Sequence, residues 1–418
     1  MFKQVYGDKV VDAWGLMAKL SKRIKFVGDA DRNGDNFNLP IDMQFEHGIS
    51  AAASGVTNSG SATGATAALT TQFLAASAGA MQNAVITPAQ LIGRSQVTYE
   101  AIARSANTAA AFEKATKRVV KRLGMATMKR LEIQLLHGQR GLGVIESVSL
   151  VGAVNTVTIT AASWSAGIWA GQRGCTLDVY APNLTTKRNA TTLSAGNLVL
   201  TTVTPATRTL VITGAAPGDA TFTIGDSIFF ETANVLSEMP GLDVVASNTG
   251  TLYGINAANF ELMGGNIAST STGVPSLGKI LEGASLTVGY GNASGLTVVV
   301  PAKAYEIMNT DQAALRVYGA ESQGKNGFDS LVFMGQVGKL EVLPHQFQKD
   351  GLMHAFVEDE AYRIGSQDVS FIQRGDGSEK LILESSTSPA SEMRCYSGQS
   401  LAIEQPRHTI VWQGLAYS

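Results

Sequence analysis

A long uncharged stretch limits what this chain can fold into more than any other feature of its sequence. From Gly48 to Gly93 there is no Asp, Glu, Lys or Arg, and residues 50–64 are mostly Ala, Ser, Gly and Thr. Such a run is too poor in large apolar residues to form a core of its own, yet a free linker would normally carry more charge. We therefore expect the stretch to lie extended against another protein surface.

The residues on both sides of this stretch have strand patterns. Strand character returns at 83–87 and 96–99, and on the other side apolar residues occupy alternate positions: Phe37, Leu39, Ile41, Met43 and Phe45. Strict alternation is typical of a half-buried strand. We predict that residues 36–106 form a long extended hairpin whose neutral tip lies on a neighbouring subunit. A mobile loop rich in Gly, Ser and Ala is the alternative.

Residues 107–142 are predicted to contain a long helix over 108–137, capped by Asn107 and ended by His137-Gly138. Apolar residues form one drifting stripe along it. The outer face is basic, and its candidate DNA-facing residues are Lys114, Lys117, Arg118, Lys121, Arg122, Lys129 and Arg130. Ion pairs with a neighbouring subunit or with the hairpin are the alternative use of this face.

Residues 1–35 are predicted to be an N-terminal arm, helical up to about residue 26 because apolar residues recur every three to four positions. The arm ends in the polar turn Asp29–Asp35, which matches the first half of a calcium-binding loop. The twelfth position of that loop is Pro40 rather than Glu. A polar turn is therefore the favoured interpretation, and calcium binding is left open.

The residue pattern changes after the long helix. Residues 143–235 contain short Thr/Val/Ile-rich runs separated by turn residues at roughly ten-residue intervals, a pattern typical of a small β-barrel or sandwich. Mixed helix and strand patterns resume over 236–392, and 393–418 contain two further strand patterns. The sequence thus predicts an α+β protein interrupted by an inserted all-β domain.

Motifs for chemistry are missing from the sequence. Five histidines show no HExxH spacing, Cys175 and Cys395 form no metal or redox motif, and no GxSxG or GxGxxG occurs. Two near matches to the phosphate-binding loop, at 273–280 and 319–326, lack the final Ser or Thr that holds magnesium. We expect no catalytic, cofactor-binding or metal-binding residues. His345 and His354 are expected to be structural, and Glu358-Asp359-Glu360 a solvated turn.

The charge balance and the hydropathy restrict the partners. With 32 basic and 34 acidic residues, the chain has no general electrostatic attraction for nucleic acid, so any such contact must use one face. Only 16% of residues are charged, which fits a protein covered by copies of itself. The N-terminus lacks the apolar core of a signal peptide, and no apolar stretch is long enough to span a bilayer. We expect synthesis in the cytoplasm and no membrane contact.

The order of these parts resembles the major capsid proteins of tailed bacteriophages, which have the Hong Kong 97-type fold. Two short stretches of sequence, Val298–Tyr305 and Ile403–His408, also resemble this family. The family implies a phage capsid fold with an N-terminal arm (1–35), an extended loop (36–106) and the spine helix of a peripheral domain (107–142). It further implies an axial domain together with part of the peripheral domain (236–392), final peripheral strands (393–418) and, here, an inserted β-domain (143–235).

The resemblance also implies function and partners. It implies hexamers and pentamers of an icosahedral head in the virion, assembled in the host cytoplasm around double-stranded DNA, and no enzymatic activity. Portal, scaffold and cement or decoration proteins are further expected partners. The arm begins almost at Met1, so the resemblance implies either a separate scaffold protein or none. Two alternatives remain: another virion structural protein such as a tail or fibre component, or a surface adhesin. An enzyme would need a polar constellation that the sequence does not show.

Overall fold

The computed structural model of the protein describes residues 18–28, 32–33, 36–47, 78–99, 109–152, 154–188, 197–214, 222–310, 331–371, 383–384 and 390–417. Its α-helices are α1 (Leu20–Arg23), α2 (Ala109–His137), α3 (Ala166–Trp169), α4 (Leu242–Ala246), α5 (Leu277–Val288) and α6 (Ala302–Thr310). Short 3₁₀ turns occur at Ala161–Ser163, Glu261–Met263, Glu358–Glu360 and Pro406–His408.

Strands make up most of the remaining described chain. Those before α4 are β1 (Lys25–Val27), β2 (Arg32–Asn33), β3 (Asn36–Asp42), β4 (Met81–Ile86), β5 (Ala89–Thr98), β6 (Gly143–Val151), β7 (Val154–Ile159), β8 (Thr176–Tyr180), β9 (Leu198–Thr204), β10 (Thr209–Thr213) and β11 (Ser227–Phe230). Those after it are β12 (Thr251–Leu252), β13 (Ile255–Asn256), β14 (Asn266–Gly273), β15 (Leu296–Val300), β16 (Leu331–Gly335), β17 (Gly338–Pro344), β18 (Leu352–Phe356), β19 (Ala361–Phe371), β20 (Leu383–Glu384), β21 (Ala390–Ile403) and β22 (Ile410–Leu415).

The Thr/Val-rich runs after the long helix form a closed six-stranded barrel with the strand order β10-β7-β6-β11-β8-β9. Alternation explains the packing, since Val157 and Ile159 point into the core while Thr158 between them is only partly covered. The barrel core is continuous with the core under α2 and α4. That residues 143–235 are a separate inserted domain stays a prediction.

The long helix α2 packs on a five-stranded sheet of β1, β19, β21, β20 and β5. Strand β5 pairs with β21 in unbroken antiparallel register, from Ala390 opposite Thr98 to Gln399 opposite Ala89. The contact with the helix is close, because a Cβ on Gly93 would lie 2.6 Å from the Thr127 hydroxyl oxygen. Strands β5 and β21 are about three hundred residues apart in the sequence, and no pattern of neighbouring residues predicts that they pair.

A six-stranded sheet has the order β14-β22-β18-β15-β17-β16 and packs under α5 and α6. The family resemblance grouped residues 393–418 as final strands of the long-helix domain. The structure divides them, because β21 lies in the five-stranded sheet and β22 in the six-stranded one. The 3₁₀ turn Pro406–His408 between the two strands redirects the chain, and Pro406 stands at its first position.

The base of the predicted hairpin is present. Strands β3 and β4 pair from Phe37 opposite Ile86 to Asp42 opposite Met81, while residues 48–77, which include the predicted tip, lie outside the described residues. Phe45 is exposed because the strand ends at Asp42. The N-terminal helix differs from its prediction: α1 ends at Arg23 and β1 then pairs in parallel with β19. Of the predicted calcium-like turn, only Arg32–Asn33 is described, as strand β2.

Candidate functional site along the long helix

A buried carboxylate on α2 holds three parts of the chain together. One oxygen of Glu132 accepts hydrogen bonds from the Ser21 amide (2.8 Å) and the Ser21 hydroxyl (2.6 Å). The other accepts from the Leu20 amide at 3.2 Å and lies 3.1 Å from His345 Nε2. Glu132 thus satisfies two free amides at the start of α1, where a helix leaves such groups unpaired. It connects the N-terminal segment, the long helix and the loop after β17.

The hydrogen bonds of His345 define its tautomer. Its Nδ1 accepts from the Phe347 amide at 3.2 Å, so Nδ1 carries no proton and the hydrogen sits on Nε2, facing Glu132. The side chains of His345 and Glu132 are both fully covered. A neutral imidazole that donates to a carboxylate meets the hydrogen-bonding needs of both groups without a second buried charge. The expected structural role of His345 therefore has a specific partner.

A second buried group lies at the C-terminal end of α2. His137 Nδ1 is 3.8 Å from one oxygen of Asp243, and His354 Nε2 is 3.7 Å from the other. The two imidazole rings meet edge to face with centroids 5.7 Å apart. Complete burial, followed by the nearby Lys349 ammonium, lowers the pKa of His137 to about 3, so its imidazole is neutral at pH 7. This group joins the helix, α4 and strand β18.

Lys349 is a buried cation beside that group. Its ammonium donates to the Gly141 carbonyl at 2.8 Å, and burial lowers its pKa to about 8, while Asp243 and Glu238 oppose the shift. Glu238 accepts from the Gln139 amide at 3.0 Å. The helix leads into the barrel through residues 137–142. This stretch is thus held by Glu238, which follows the barrel, and by Lys349, which follows β17.

The N-terminal segment is also fixed by ion pairs. Arg23 forms ion pairs with Glu341 of β17 and with Glu358. The acidic triplet Glu358-Asp359-Glu360 is therefore not only the solvated turn that the sequence predicted, because Glu360 also lies 2.8 Å from His408 Nδ1. Arg23 and Lys19, whose ammonium donates to the Pro344 carbonyl at 3.0 Å, join the segment before β1 to the six-stranded sheet.

An Arg-Glu-Arg contact joins β5 to β21. Arg94 makes two hydrogen bonds to Glu392, at 3.0 and 2.8 Å, and Arg394 also donates to it. Hydrogen bonds from these two arginines lower the pKa of Glu392 to about 2. The arginines are partly exposed while the carboxylate is 1% exposed. The contact lies on the sheet face away from α2, since the neighbouring residue Met393 packs with Val120 and Leu123 of the helix.

The basic residues of α2 do not form one face. Lys121 and Arg122 are exposed, as the sequence predicted. Lys129 donates to the Ala170 carbonyl at 2.6 Å, and the Arg130 guanidinium lies 3.8 Å from the Phe230 ring centroid. Both therefore cover the barrel side of the helix, and burial lowers the pKa of Lys129 to about 8. The side chains of Lys114, Lys117 and Arg118 lie outside the described residues.

The described residues bear on metal binding and on the two near matches to a phosphate loop. No group of three or more His, Cys, Asp or Glu there is arranged to hold a metal ion. At the first near match to a phosphate loop, Ser276 caps α5 by accepting from the Lys279 amide at 3.4 Å, and the second near match lies outside the described ranges. Among the helices described, none is long and apolar enough to cross a membrane.

The buried carboxylates were not predicted from the sequence. Asp243 follows a Gly-Leu pair, and nothing in the residues around it indicates a buried carboxylate. A weak signal did exist in the helical spacing. Glu132 follows Met128 and Leu131 on the apolar stripe, where a charged residue requires a buried partner.

Comparison with solved structures identifies the fold of this chain. No protein-family model matches the chain, and no curated protein matches it. A chain of the cyanophage A-1(L) capsid asymmetric unit aligns over 96% of this chain and 93% of its own length, with 9% identity and a TM-score of 0.52. A capsid chain of an empty GTA particle aligns over 96% and 90%, with 9% identity and a TM-score of 0.45. A virus-like particle chain from Pyrococcus furiosus aligns over 97% and 96%, with 7% identity and a TM-score of 0.43. The cyanophage comparison shows that this chain has the fold of a phage capsid chain.

Proposed function

We propose that the chain is the shell subunit of a tailed-phage head, which assembles into hexamers and pentamers of an icosahedral capsid around double-stranded DNA. The observation that carries the proposal is the fold shared with the cyanophage capsid chain, which aligns over 96% of this chain and 93% of its own length. The protein acts in the virion by self-association and not by catalysis.

The contacts along α2 support a subunit that moves as one body. Glu132 joins the N-terminal segment to the helix and to the loop after β17, and Asp243 lies between residues of the helix and of β18. The Glu132 carboxylate is hydrogen-bonded on both oxygens, and a buried polar group paired in this way fixes the relative positions of the elements that meet at it. At Asp243 the contact is looser, because both ring nitrogens of His137 and Nε2 of His354 lack a hydrogen-bond partner among the described residues. A subunit that keeps one shape can use the same surfaces for each repeated contact with a neighbouring copy.

The hairpin supports the second requirement, a large overlap between copies. Strands β3 and β4 form its paired base, which is tied to the main body where the Val85 amide donates to the Tyr253 carbonyl at 2.8 Å. The intervening residues, 43–80, carry only Glu46 as a charged side chain. A neutral extension of this length suits a permanent contact, where interfaces commonly exceed about 2,000 Å². Several such contacts per subunit make dissociation a collective event.

The inner face of the shell is proposed to include Lys121 and Arg122, the two described basic residues of α2 that are exposed. Lys129 and Arg130 are excluded from it because they pack against the barrel side of the helix. Lys114, Lys117 and Arg118 stay candidates from the sequence alone. Each contact of this kind would neutralise a phosphate without reading base sequence.

Electron microscopy tests the proposal. The chain is expressed alone and together with its neighbouring genes, purified, sized and examined in negative stain. The proposal predicts closed polyhedral particles or free hexamers and pentamers. A monodisperse monomer or trimer under all conditions would instead favour a tail component, a fibre component or an adhesin.

A further inference from the structure

The six-stranded sheet has two edges that lack the usual protection against pairing. Within the described residues, β14 pairs only with β22 and β16 only with β17. Neither β14 (Asn266–Gly273) nor β16 (Leu331–Gly335) contains a charged residue or a proline. Exposed edge strands in soluble proteins normally carry Lys, Pro or another device that prevents them from pairing with a second molecule. These two edges are therefore suited to such pairing.

The other large sheet of the same chain shows the contrast. Its edge strands each carry a charged residue: Lys25 in β1, Arg94 in β5 and Glu384 in β20. The chain thus places charge at the edges of the five-stranded sheet and omits it at both edges of the six-stranded sheet. The difference indicates that the second pair of edges is covered in the working protein.

The strand directions allow the two edges to pair with each other. Strand β14 is parallel to β22, β22 is antiparallel to β18, and β18 is antiparallel to β15. Strand β15 is parallel to β17, and β17 is antiparallel to β16. Followed across the sheet, these relations make β14 and β16 opposite in direction. The β16 edge of one copy would therefore meet the β14 edge of the next as an antiparallel ladder, the pairing that is slightly more stable per residue.

The exposed apolar side chains at the two edges share one face of the sheet. On β14, Ala268 is paired with Trp412, whose ring packs on Gly283 of α5, so Ala268 faces α5 and Ile267 faces the opposite side. On β16, a Cβ on Gly335 would meet Leu281 of α5, so Met334 also faces away from α5. Ile267 is 45% exposed and Met334 is 77% exposed.

We propose that β16 of one copy of this chain adds to the regular part of β14, Asn266–Ser269, of a second copy, with Met334 of the first packed on Ile267 of the second. The two edges of one chain are five strand spacings apart, about 24 Å, so a single chain cannot join them. Same-face apolar neighbours across an antiparallel ladder stabilise the pairing. A head-to-tail contact of this kind forms a ring when the rotation between successive copies closes, as a hexamer or pentamer requires. This inference rests on the proposed function, since it names the partner surfaces within one hexamer or pentamer.

Lysine substitutions at the two edges test the pairing. Ile267→Lys and Met334→Lys each place a charge opposite an apolar neighbour, and both positions are exposed in the single chain, so its fold and melting temperature should change little. Each is expected to reduce the assembled fraction at least tenfold, measured by sedimentation and negative stain. The matched control is Val151→Lys in the β6–β7 turn region of the barrel, where Val151 is 74% exposed, and it should assemble as the wild type does.

Charge complementation and cross-linking make the test specific. The double variant Ile267→Lys/Met334→Glu places opposite charges across the ladder and should recover most of the lost assembly. The variant Ile267→Cys/Met334→Cys should give a ladder of reducible covalent oligomers on mild oxidation, while each single cysteine variant should not extend beyond a dimer. Wild-type protein, with Cys175 and Cys395, serves as the background.

The outcomes separate this inference from the proposed function. If wild-type protein forms no rings or shells, the proposed function is wrong. If wild-type shells form and both lysine variants also form them, with no covalent ladder, the edge pairing is wrong while the shell function stands. Loss of assembly in both variants together with recovery in the Lys/Glu double variant would support the pairing.

Discussion

The imidazole Nε2 of His345 lies 3.1 Å from a carboxylate oxygen of Glu132, in a contact between the long helix and the loop after β17 that has no solvent access. The same carboxylate accepts from Leu20 and Ser21, so its loss would leave three buried donor residues without a partner. Leaving such buried donors unpaired costs more free energy of unfolding than an exposed ion pair usually contributes.

Removing the Glu132 carboxylate should therefore destabilise the fold. Glu132→Ala is expected to lower the free energy of unfolding by about 3 kcal/mol or more, because each buried donor left without an acceptor costs about 1–3 kcal/mol. Glu132→Gln keeps one acceptor and should cost less. Urea unfolding of the unassembled chain measures both. Glu306→Gln, at an exposed position of α6, is the control and should stay within about 0.5 kcal/mol of the wild type. Equal stabilities of the alanine variant and the wild type would contradict the assigned role.

Acid should weaken the contact between β5 and β21. The folded chain holds the pKa of Glu392 at about 2, below its usual value of 4.5, so the unfolded state binds the proton first as pH falls. The stabilisation by Glu392 is complete above pH 4.5 and is lost as pH falls from 4.5 towards 2. The wild type should melt above Glu392→Gln at pH 7, and the difference should shrink through this window. A difference that is independent of pH would show that the ion pairs do not contribute.

Two glycines of α5 form a matched pair for a packing test. A Cβ on Gly283 would lie 2.3 Å from the Trp412 ring, whereas a Cβ on Gly278 would meet only the Ser276 hydroxyl, at 3.8 Å. Gly283→Ala should destabilise by roughly 1–3 kcal/mol through overpacking. Gly278→Ala should be neutral or stabilise by up to about 1 kcal/mol, because Ala favours the helix. Thermal unfolding distinguishes the two, and equal effects would contradict the placement of Trp412 against α5.

Removing the positive charges of Lys121 and Arg122, the exposed basic residues described on α2, should affect packaged DNA but not the fold. Lys121→Gln/Arg122→Gln is expected to assemble normally and to lower the salt concentration at which particles lose their DNA. Arg130→Gln is the contrast: it should cost about 1 kcal/mol of stability, because the guanidinium packs on the Phe230 ring, and leave DNA retention unchanged. Unchanged DNA retention in the double variant would refute the inner-face assignment of Lys121 and Arg122.

The sequence predicted those elements whose signal is local. Helix α2 was predicted over 108–137 and is observed at Ala109–His137, because a long apolar stripe and a clear Gly stop define it. The mixed pattern predicted over 236–392 includes strand β15 (Leu296–Val300), whose five residues are all buried and mostly β-branched. The Thr/Val runs after the helix predicted strands that do close into a barrel.

Long-range pairing could not be predicted in the same way. The ladder between β5 and β21 and the assignment of β22 to the six-stranded sheet depend on contacts between residues hundreds of positions apart, for which a single sequence carries no pattern. The basic residues of α2 show the same limit. Lys121 and Lys129 look alike in the sequence, but only the structure shows that Lys129 lies over the Phe347 ring.

The masses of the soluble assemblies test the central claim most directly. The chain is purified under dissociating conditions, returned to physiological salt at increasing concentration, and weighed by mass photometry. Assembly into a shell predicts species of five and six times 43.9 kDa, together with much larger closed particles as concentration rises. A single species of 43.9 kDa at every concentration, with or without the products of the neighbouring genes, would contradict the claim that this protein acts by self-association.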